Sequence, residues 1–119
     1  MLVEVLTFDG CPHGEPAFDL AHATVAELDV KAEVRLVSVT ESQTAEARFL
    51  GSPSIRVDGR DVEPGAHMRT DFSRSCRLYH TSQGSSALPD IAWIRDALIR
   101  ARVQPAHGKC GDGSRMSRK

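Results

Sequence analysis

The chain has 119 residues, with 15 basic and 16 acidic side chains, and 40% of its residues are hydrophobic. This length predicts one domain that buries about two-thirds of its unfolded surface and needs no metal or disulfide to form a core. The balanced charge argues against nucleic-acid binding, which needs a basic excess on one face. No apolar run approaches about 18 residues and the N-terminus lacks a basic region, so we expect neither a membrane span nor a signal peptide.

The cysteine content predicts the cellular compartment. Cys11, Cys76 and Cys110 are irregularly spaced, and an odd number at such spacing does not form the disulfide framework of a small secreted protein. We therefore expect a cytoplasmic protein, and in that compartment a cysteine is more often reactive than structural.

The first 39 residues predict a strand–helix–strand unit. Residues 2–8 (LVEVLTF) are apolar and rich in β-formers, as in a strand covered on both faces. Pro16 suits the first turn of a helix, and residues 32–39 alternate as a second strand. The helix carries one apolar stripe, formed by Phe18, Ala21, Val25 and Leu28.

The middle of the chain predicts a short helix and then a hairpin. Residues 42–50 fit the helix, which a glycine ends. Asp58-Gly59 separates the runs IRV and RDV and tolerates the positive φ angles of a type I′ turn. In this register Ile55 faces Val62 across the ladder.

The last part of the chain predicts an insertion, a helix and a tail. Residues 65–88 have no clear pattern and are too long for an ordinary loop. A final helix opens at Pro89-Asp90, and residues 105–119 are polar and glycine-rich, as in disordered segments. The domain is therefore expected to span residues 1–104. The buried stripe of the last helix is Ile91, Ile94, Leu98 and Ala101.

The resulting order is β-α-β-α-β-β-α. A strand–helix–strand unit of this length forms a right-handed parallel crossover, and a hairpin adds two antiparallel strands to the same sheet. We therefore predict an α/β domain with a four-stranded mixed sheet, helices on both faces, and the first strand next to the centre.

This order resembles the thioredoxin and glutaredoxin fold over residues 1–103. Cys11 lies between the first strand and the first helix, and Ser52-Pro53 stands where that fold keeps a cis-proline facing the reactive cysteine. The segments MLVEVLTFDGCP, FLGSPSIRVDGRDVEPG and CRLY more closely resemble a small thioredoxin-like group labelled the DF family of (seleno)proteins. In that group the residue matching Cys11 can be selenocysteine, which implies that this position reacts.

The surroundings of Cys11 also favour a reactive thiol. The N-terminus of a helix carries partial positive charge, which favours a thiolate and lowers the pKa of the thiol. A protonated His13 would add to this effect, and Glu15 would oppose it. The alternative is a buried cysteine that acts as a small hydrophobe, but the adjacent glycines and proline are not typical of a core position.

Gly14 occupies the position where dithiol members of the fold have a second cysteine, so an intramotif dithiol mechanism is excluded. The product formed on Cys11 must be released by glutathione, a partner thiol or a distant cysteine. Cys76 is the candidate, because residues 65–88 should emerge at the Cys11 end of the sheet. Alternatively, Cys76 helps to anchor an apolar cluster around Leu78.

The resemblance implies that Pro12, His13, Ser52 and Pro53 contact the substrate, and that a cis-Pro53 leaves the Ser52 backbone free to pair with it. The alternative for Pro53 is a proline that opens an edge strand and has no further role.

The leading functional prediction is a single-cysteine thiol oxidoreductase that acts on a thiol or disulfide, in a small molecule or a protein. It needs no cofactor, although glutathione or another thiol could be its reductant. One alternative is a protein that handles mercury or another soft metal through Cys11 and Cys76. Another is a non-catalytic binding module. No resident metal is predicted, because His67 and His80 do not form a zinc-binding spacing with Cys76.

Overall fold

The computed structural model describes residues 1–103 and shows an α/β domain built on a four-stranded mixed sheet. The strands are β1 (Leu2–Thr7), β2 (Glu33–Ser38), β3 (Ser54–Val57) and β4 (Arg60–Asp61). The inner strand β1 pairs in parallel with β2 and antiparallel with β3, in the order β2-β1-β3-β4. The predicted mixed sheet and the position of its first strand are therefore confirmed. The predicted tail at 105–119, with Cys110, lies outside the described residues.

The turn between β3 and β4 forms as predicted. Asp58 and Gly59 have φ angles of 51° and 85°, both in the left-handed region. The Val62 N–H donates to the Ile55 carbonyl at 3.0 Å, which places these residues opposite each other. The Leu2 N–H donates to the Asp58 carboxylate at 2.8 Å, so the turn is also tied to the start of β1.

Helices α1 (Gly14–Glu27) and α2 (Ile91–Val103) contact each other and cover the same face of the sheet. The expectation of helices on both faces is therefore wrong. None of the helices within residues 1–103 is long and apolar enough to cross a membrane. The centre of this core is formed by Val3, Val5, Ala17, Ala21, Ile55, Val57, Ile94 and Leu98.

The predicted helix at 42–50 is also wrong. The structure has one 3₁₀ turn, Glu41–Gln43, followed by turns, and Arg48 adopts a left-handed φ of 54°. This reversal brings the fully buried Phe49 against Leu6 on the second face of the sheet. A continued helix could not make this turn, so burial of one aromatic side chain overrides the local helix propensity.

The insertion at 65–88 is more regular than predicted. It contains a 3₁₀ turn, Ala66–Met68, and a hairpin of β5 (Tyr79–Thr81) and β6 (Gly84–Ser86). The Asp90 carboxylate accepts hydrogen bonds from the Ala92 N–H at 2.9 Å and from Ser82, and so caps α2 and holds the hairpin to it.

Candidate active site

Cys11 lies in the tight connection between β1 and α1. Its backbone N–H donates to the Phe8 carbonyl at 3.1 Å, and Gly10 has a left-handed φ of 92° that allows this turn. The thiol is free and only partly buried. The sequence therefore places a half-exposed sulfur directly before the first turn of a helix.

Two hydroxyl groups connect β1, the Cys11 loop and the start of β3. The Ser52 Oγ donates to the Cys11 Sγ at 2.9 Å, and the Thr7 Oγ1 lies 2.8 Å from the Ser52 Oγ. When the Ser52 proton points to the sulfur, the Thr7 hydroxyl can donate its one proton either to the Ser52 oxygen or to the Cys11 sulfur. Both hydroxyl-bearing residues are buried, so this short relay is held in place by the sheet.

The electrostatic surroundings lower the pKa of the Cys11 thiol below its ordinary value. Partial burial raises this pKa, but hydrogen bonds to the sulfur outweigh the effect. The Ser52 hydroxyl contributes most, followed by the His13 backbone N–H, the Thr7 hydroxyl and the Gly14 backbone N–H. Hydroxyls of the sheet and amides at the start of α1 therefore favour the thiolate together.

Gly14 is required by its close contact with β1. A β-carbon at this position would lie 2.8 Å from the Thr7 Oγ1 and 3.2 Å from the Thr7 Cβ, so the Thr7 side chain or the start of α1 would have to shift. The same threonine that supports the Cys11 thiolate thus disfavours a second cysteine three residues later.

The predicted substrate platform is filled by the chain itself. The Ser52–Pro53 peptide bond is cis. The Ser52 N–H donates to the Ser75 carbonyl, and the Ser52 carbonyl accepts from the Arg77 N–H, both at 2.8 Å. These bonds make a parallel bridge between Ser52 and Cys76. The expectation that the Ser52 backbone is free to pair with an extended substrate is therefore wrong for this structure.

The bridge places Cys76 next to Ser52, the residue whose hydroxyl contacts the Cys11 thiol. Residues that are paired across adjacent strands lie about 5 Å apart and point to the same face. Cys76 is free and exposed. Gly51 permits this approach, because a β-carbon there would lie 3.0 Å from the Ser75 carbonyl oxygen.

Arg77 anchors the segment that carries Cys76. Its side chain is 2% exposed and forms ion pairs with Asp61 at 2.7 Å and with Glu63 at 2.6 Å. It also donates to the Ser54 hydroxyl at 2.7 Å and stacks 4.5 Å above the Tyr79 ring. Residues 75–77 are therefore held against the sheet by a buried ionic cluster and not only by backbone pairing.

The predicted substrate-contacting residues differ in accessibility. Pro12 is exposed and His13 is partly buried, whereas Ser52 and Pro53 are buried beneath the loops. Thr7 was not among the residues predicted from the sequence. A threonine at the end of a β-strand is typical of a structural position, and Thr7 gains a role at the thiol only because Ser52 packs beside it.

Within residues 1–103, no three side chains of the His, Cys, Asp or Glu type come together as a metal site. No protein-family model, no curated protein and no solved structure matches the chain.

Proposed function

We propose that the protein is a thiol oxidoreductase with a thioredoxin-like fold and that Cys11 is its nucleophile. The observation that carries the proposal is the 2.9 Å hydrogen bond from the Ser52 hydroxyl to the Cys11 sulfur. Only the thiolate is an effective nucleophile in thiol–disulfide exchange. A sulfur that accepts hydrogen bonds at a helix N-terminus and remains accessible is suited to this chemistry.

Several features support the fold assignment. A parallel β1–β2 crossover, an antiparallel β3–β4 hairpin and a cis-Pro53 next to a cysteine before the first helix all agree with a thioredoxin-like domain. The turn at 41–48 stands where a helix would be expected on the second face. This departure leaves that face of the sheet more open.

The proposed reaction begins with attack by the Cys11 thiolate on a substrate disulfide. The attack forms a mixed disulfide on Cys11 and releases one half of the substrate as a thiolate, which takes up a proton. The Cys76 thiolate then attacks the Cys11 sulfur and releases the second half. The substrate gains two electrons and the protein retains a Cys11–Cys76 disulfide. Two molecules of glutathione, oxidised to glutathione disulfide, would restore both thiols.

Two features favour Cys76 for the second step. The contact with Thr7 disfavours a side chain at Gly14, and Cys76 is bridged to Ser52, whose hydroxyl contacts the Cys11 sulfur. A resolving cysteine supplied by the insertion would replace the one that the loop lacks.

The filled sheet edge limits the substrate. Ser75 and Arg77 use both backbone groups of Ser52, and Arg77 is buried in its ionic cluster. An extended polypeptide could pair there only by displacing this segment. The proposed substrate is therefore a small disulfide such as cystine.

The rate of alkylation at neutral pH tests the role of Cys11. Iodoacetamide should modify Cys11 faster than it modifies free glutathione at neutral pH, and Ser52→Ala should slow this reaction by raising the pKa of the thiol. Ser85→Ala, at an exposed serine on β6, is the matched control and should change nothing. Cys11 that reacts no faster than glutathione in the parent protein would remove the basis of the proposal and would favour a binding module.

A second candidate function is the binding of a soft cation. It is favoured because Cys11 and Cys76 both neighbour Ser52. Two thiolates on either side of Ser52 could bind a two-coordinate ion such as mercury(II) or copper(I). Titration of the reduced protein with mercury(II) distinguishes the two functions. One equivalent bound, with loss of binding in both Cys11→Ser and Cys76→Ser, together with no turnover of small disulfides, would favour the soft-metal function.

A further inference from the structure

A cavity of about 390 Å³ lies on the face of the sheet that the helices leave uncovered. Arg56 shows this placement, because it lies between Ile55 and Val57, whose side chains belong to the helix-covered core. The walls come from the turn at 48–50, the β3–β4 hairpin and the segment at 66–72. The volume falls within the range of about 300–1,000 Å³ that is typical of small-molecule sites.

The lining of the cavity is strongly basic, although the whole chain has a net charge of −1. Asp61 is the one carboxylate among the lining residues, and it is already held by the buried Arg77 at 2.7 Å. The basic groups of the lining are His67 and four arginines, Arg48, Arg56, Arg60 and Arg69.

Arg56 forms the floor of the cavity and is half-buried. Its Nη2 donates to the carbonyls of Ala47 at 2.7 Å and Arg48 at 3.0 Å, which fixes the guanidinium. Its Nε and Nη1 form no hydrogen bond within residues 1–103. Burial lowers the pKa of Arg56, against the opposing fields of Asp61 and Glu4. A fixed, partly desolvated guanidinium with free donors is suited to an anion.

Two further arginines in the lining have no salt bridge among the described residues. Arg48 stacks 4.9 Å above the Phe72 ring, which orients the guanidinium and leaves its edge available. Arg60 is exposed on the hairpin, but it pairs with Val57, so its side chain points towards the helix-covered face and away from Arg56. Arg69 differs again, because Asp71 and Glu63 already occupy its guanidinium.

We propose that this cavity binds a small organic oxyanion, with a phosphate monoester preferred to a carboxylate. The anionic group would lie between Arg56 and Arg48, and an apolar or aromatic body would pack against Phe72 and Leu50. A phosphate monoester carries close to two negative charges and three acceptor oxygens, which suits several guanidinium groups better than a single carboxylate does. The proposal is independent of the Cys11 chemistry and would hold for a Cys11→Ser protein.

The test is an amide NMR titration of the full chain with phenyl phosphate, benzoate and inorganic phosphate. Phenyl phosphate should shift residues of the cavity walls in a saturable way. Arg48→Gln, at an exposed position that should not disturb folding, and Arg56→Gln should each weaken its affinity about tenfold or more, which corresponds to about 1.4 kcal/mol. Arg100→Gln, which removes the same charge from the exposed side of α2 on the other face of the sheet, should leave the affinity within about twofold.

The three probes identify the ligand chemistry. Inorganic phosphate should bind more weakly than phenyl phosphate, because it lacks the body that packs on Phe72. Benzoate that binds as tightly as phenyl phosphate would support the oxyanion site and assign a carboxylate as its ligand. Shifts that do not saturate, or an equal loss of affinity in Arg100→Gln and Arg48→Gln, would overturn the proposal.

Discussion

The Thr7 hydroxyl oxygen lies 2.8 Å from the position that a β-carbon on residue 14 would occupy. The same oxygen is 2.8 Å from the Ser52 hydroxyl, which contacts the Cys11 sulfur. One threonine side chain therefore supports the Cys11 thiolate and opposes a second cysteine on the first turn of α1.

This relationship predicts the effect of Gly14→Ala. The added methyl group would force the Thr7 side chain or the start of α1 to move, and overpacking of this kind costs about 1–3 kcal/mol. Urea unfolding should show a loss of stability within this range. In a Thr7→Ala background the cost should fall, because the Oγ1 and Cγ2 atoms are absent. An equal cost in both backgrounds would show that this contact is not the cause.

A second prediction concerns stability and pH. The pKa of Cys11 is lowered in the folded protein, whereas the unfolded thiol titrates near its ordinary value of about 8.5. The unfolded state therefore binds more protons between these two values, and the stability from the Cys11 thiolate rises with pH. It is fully present above the unfolded pKa and is lost as the pH falls through the folded pKa.

The measurement is the free energy of unfolding of the reduced protein and of Cys11→Ser between about pH 6 and pH 9.5. The free energy of unfolding of the parent protein should increase relative to that of Cys11→Ser as the pH rises, and the difference should become constant above the unfolded pKa. Cys76 and Cys110 are present in both proteins and do not contribute to this difference. A difference that stays flat, or that moves in the opposite direction, would contradict a thiolate stabilised by the fold.

The strands of this fold are predictable from the sequence because their signals are local. Residues 2–8 are apolar and β-rich in an inner strand, and Asp58-Gly59 specifies a turn that only residues tolerating positive φ can form. The helix expected at 42–50 fails because a nonlocal requirement, the burial of Phe49, overrides a local propensity. The β5–β6 hairpin was missed because strands of three residues rich in serine and glycine carry almost no periodic signal.

The site could be predicted only in part for the same reason. Cys11 and Pro53 stand out as residue types in a recognisable context, but the role of Thr7 depends on Ser52, 45 residues later in the chain. The occupation of the Ser52 backbone depends on how the insertion returns to the sheet. The predicted topology put Cys76 at the same end of the sheet as Cys11. The bridge to Ser52, which fixes the position of Cys76, is a tertiary contact.

A third prediction concerns the buried ionic cluster. Arg77→Met would leave Asp61 and Glu63 without their main cationic partner in a poorly solvated position, and breaking a buried pair in this way costs about 3–5 kcal/mol. Urea unfolding of this variant should show a loss of that size. Arg95→Met is the matched control, because its ion pair with Glu27 is exposed and should contribute less than about 1 kcal/mol. Similar losses in the two variants would show that the cluster does not hold residues 75–77.

The last prediction is a disulfide between Cys11 and Cys76. Formation of this bond needs Cα atoms within about 7 Å. Cys76 is paired with Ser52, whose side chain touches the Cys11 sulfur, so we expect the two sulfurs to meet when the 75–77 segment moves towards the Cys11 loop. Oxidation of the dilute reduced protein with one equivalent of glutathione disulfide, followed by peptide mapping, should give a monomer linked between Cys11 and Cys76.

Two variants separate this outcome from its alternatives. Cys76→Ser should stop at a stable glutathione adduct on Cys11, because the second attack is lost, whereas Cys110→Ser should still form the internal bond. The Arg77→Met variant should form it at a different rate, because the segment that carries Cys76 is released from its anchor. Separate glutathione adducts on Cys11 and Cys76 in the parent protein would show that Cys76 does not resolve Cys11. Release of a product from Cys11 would then depend on an external thiol.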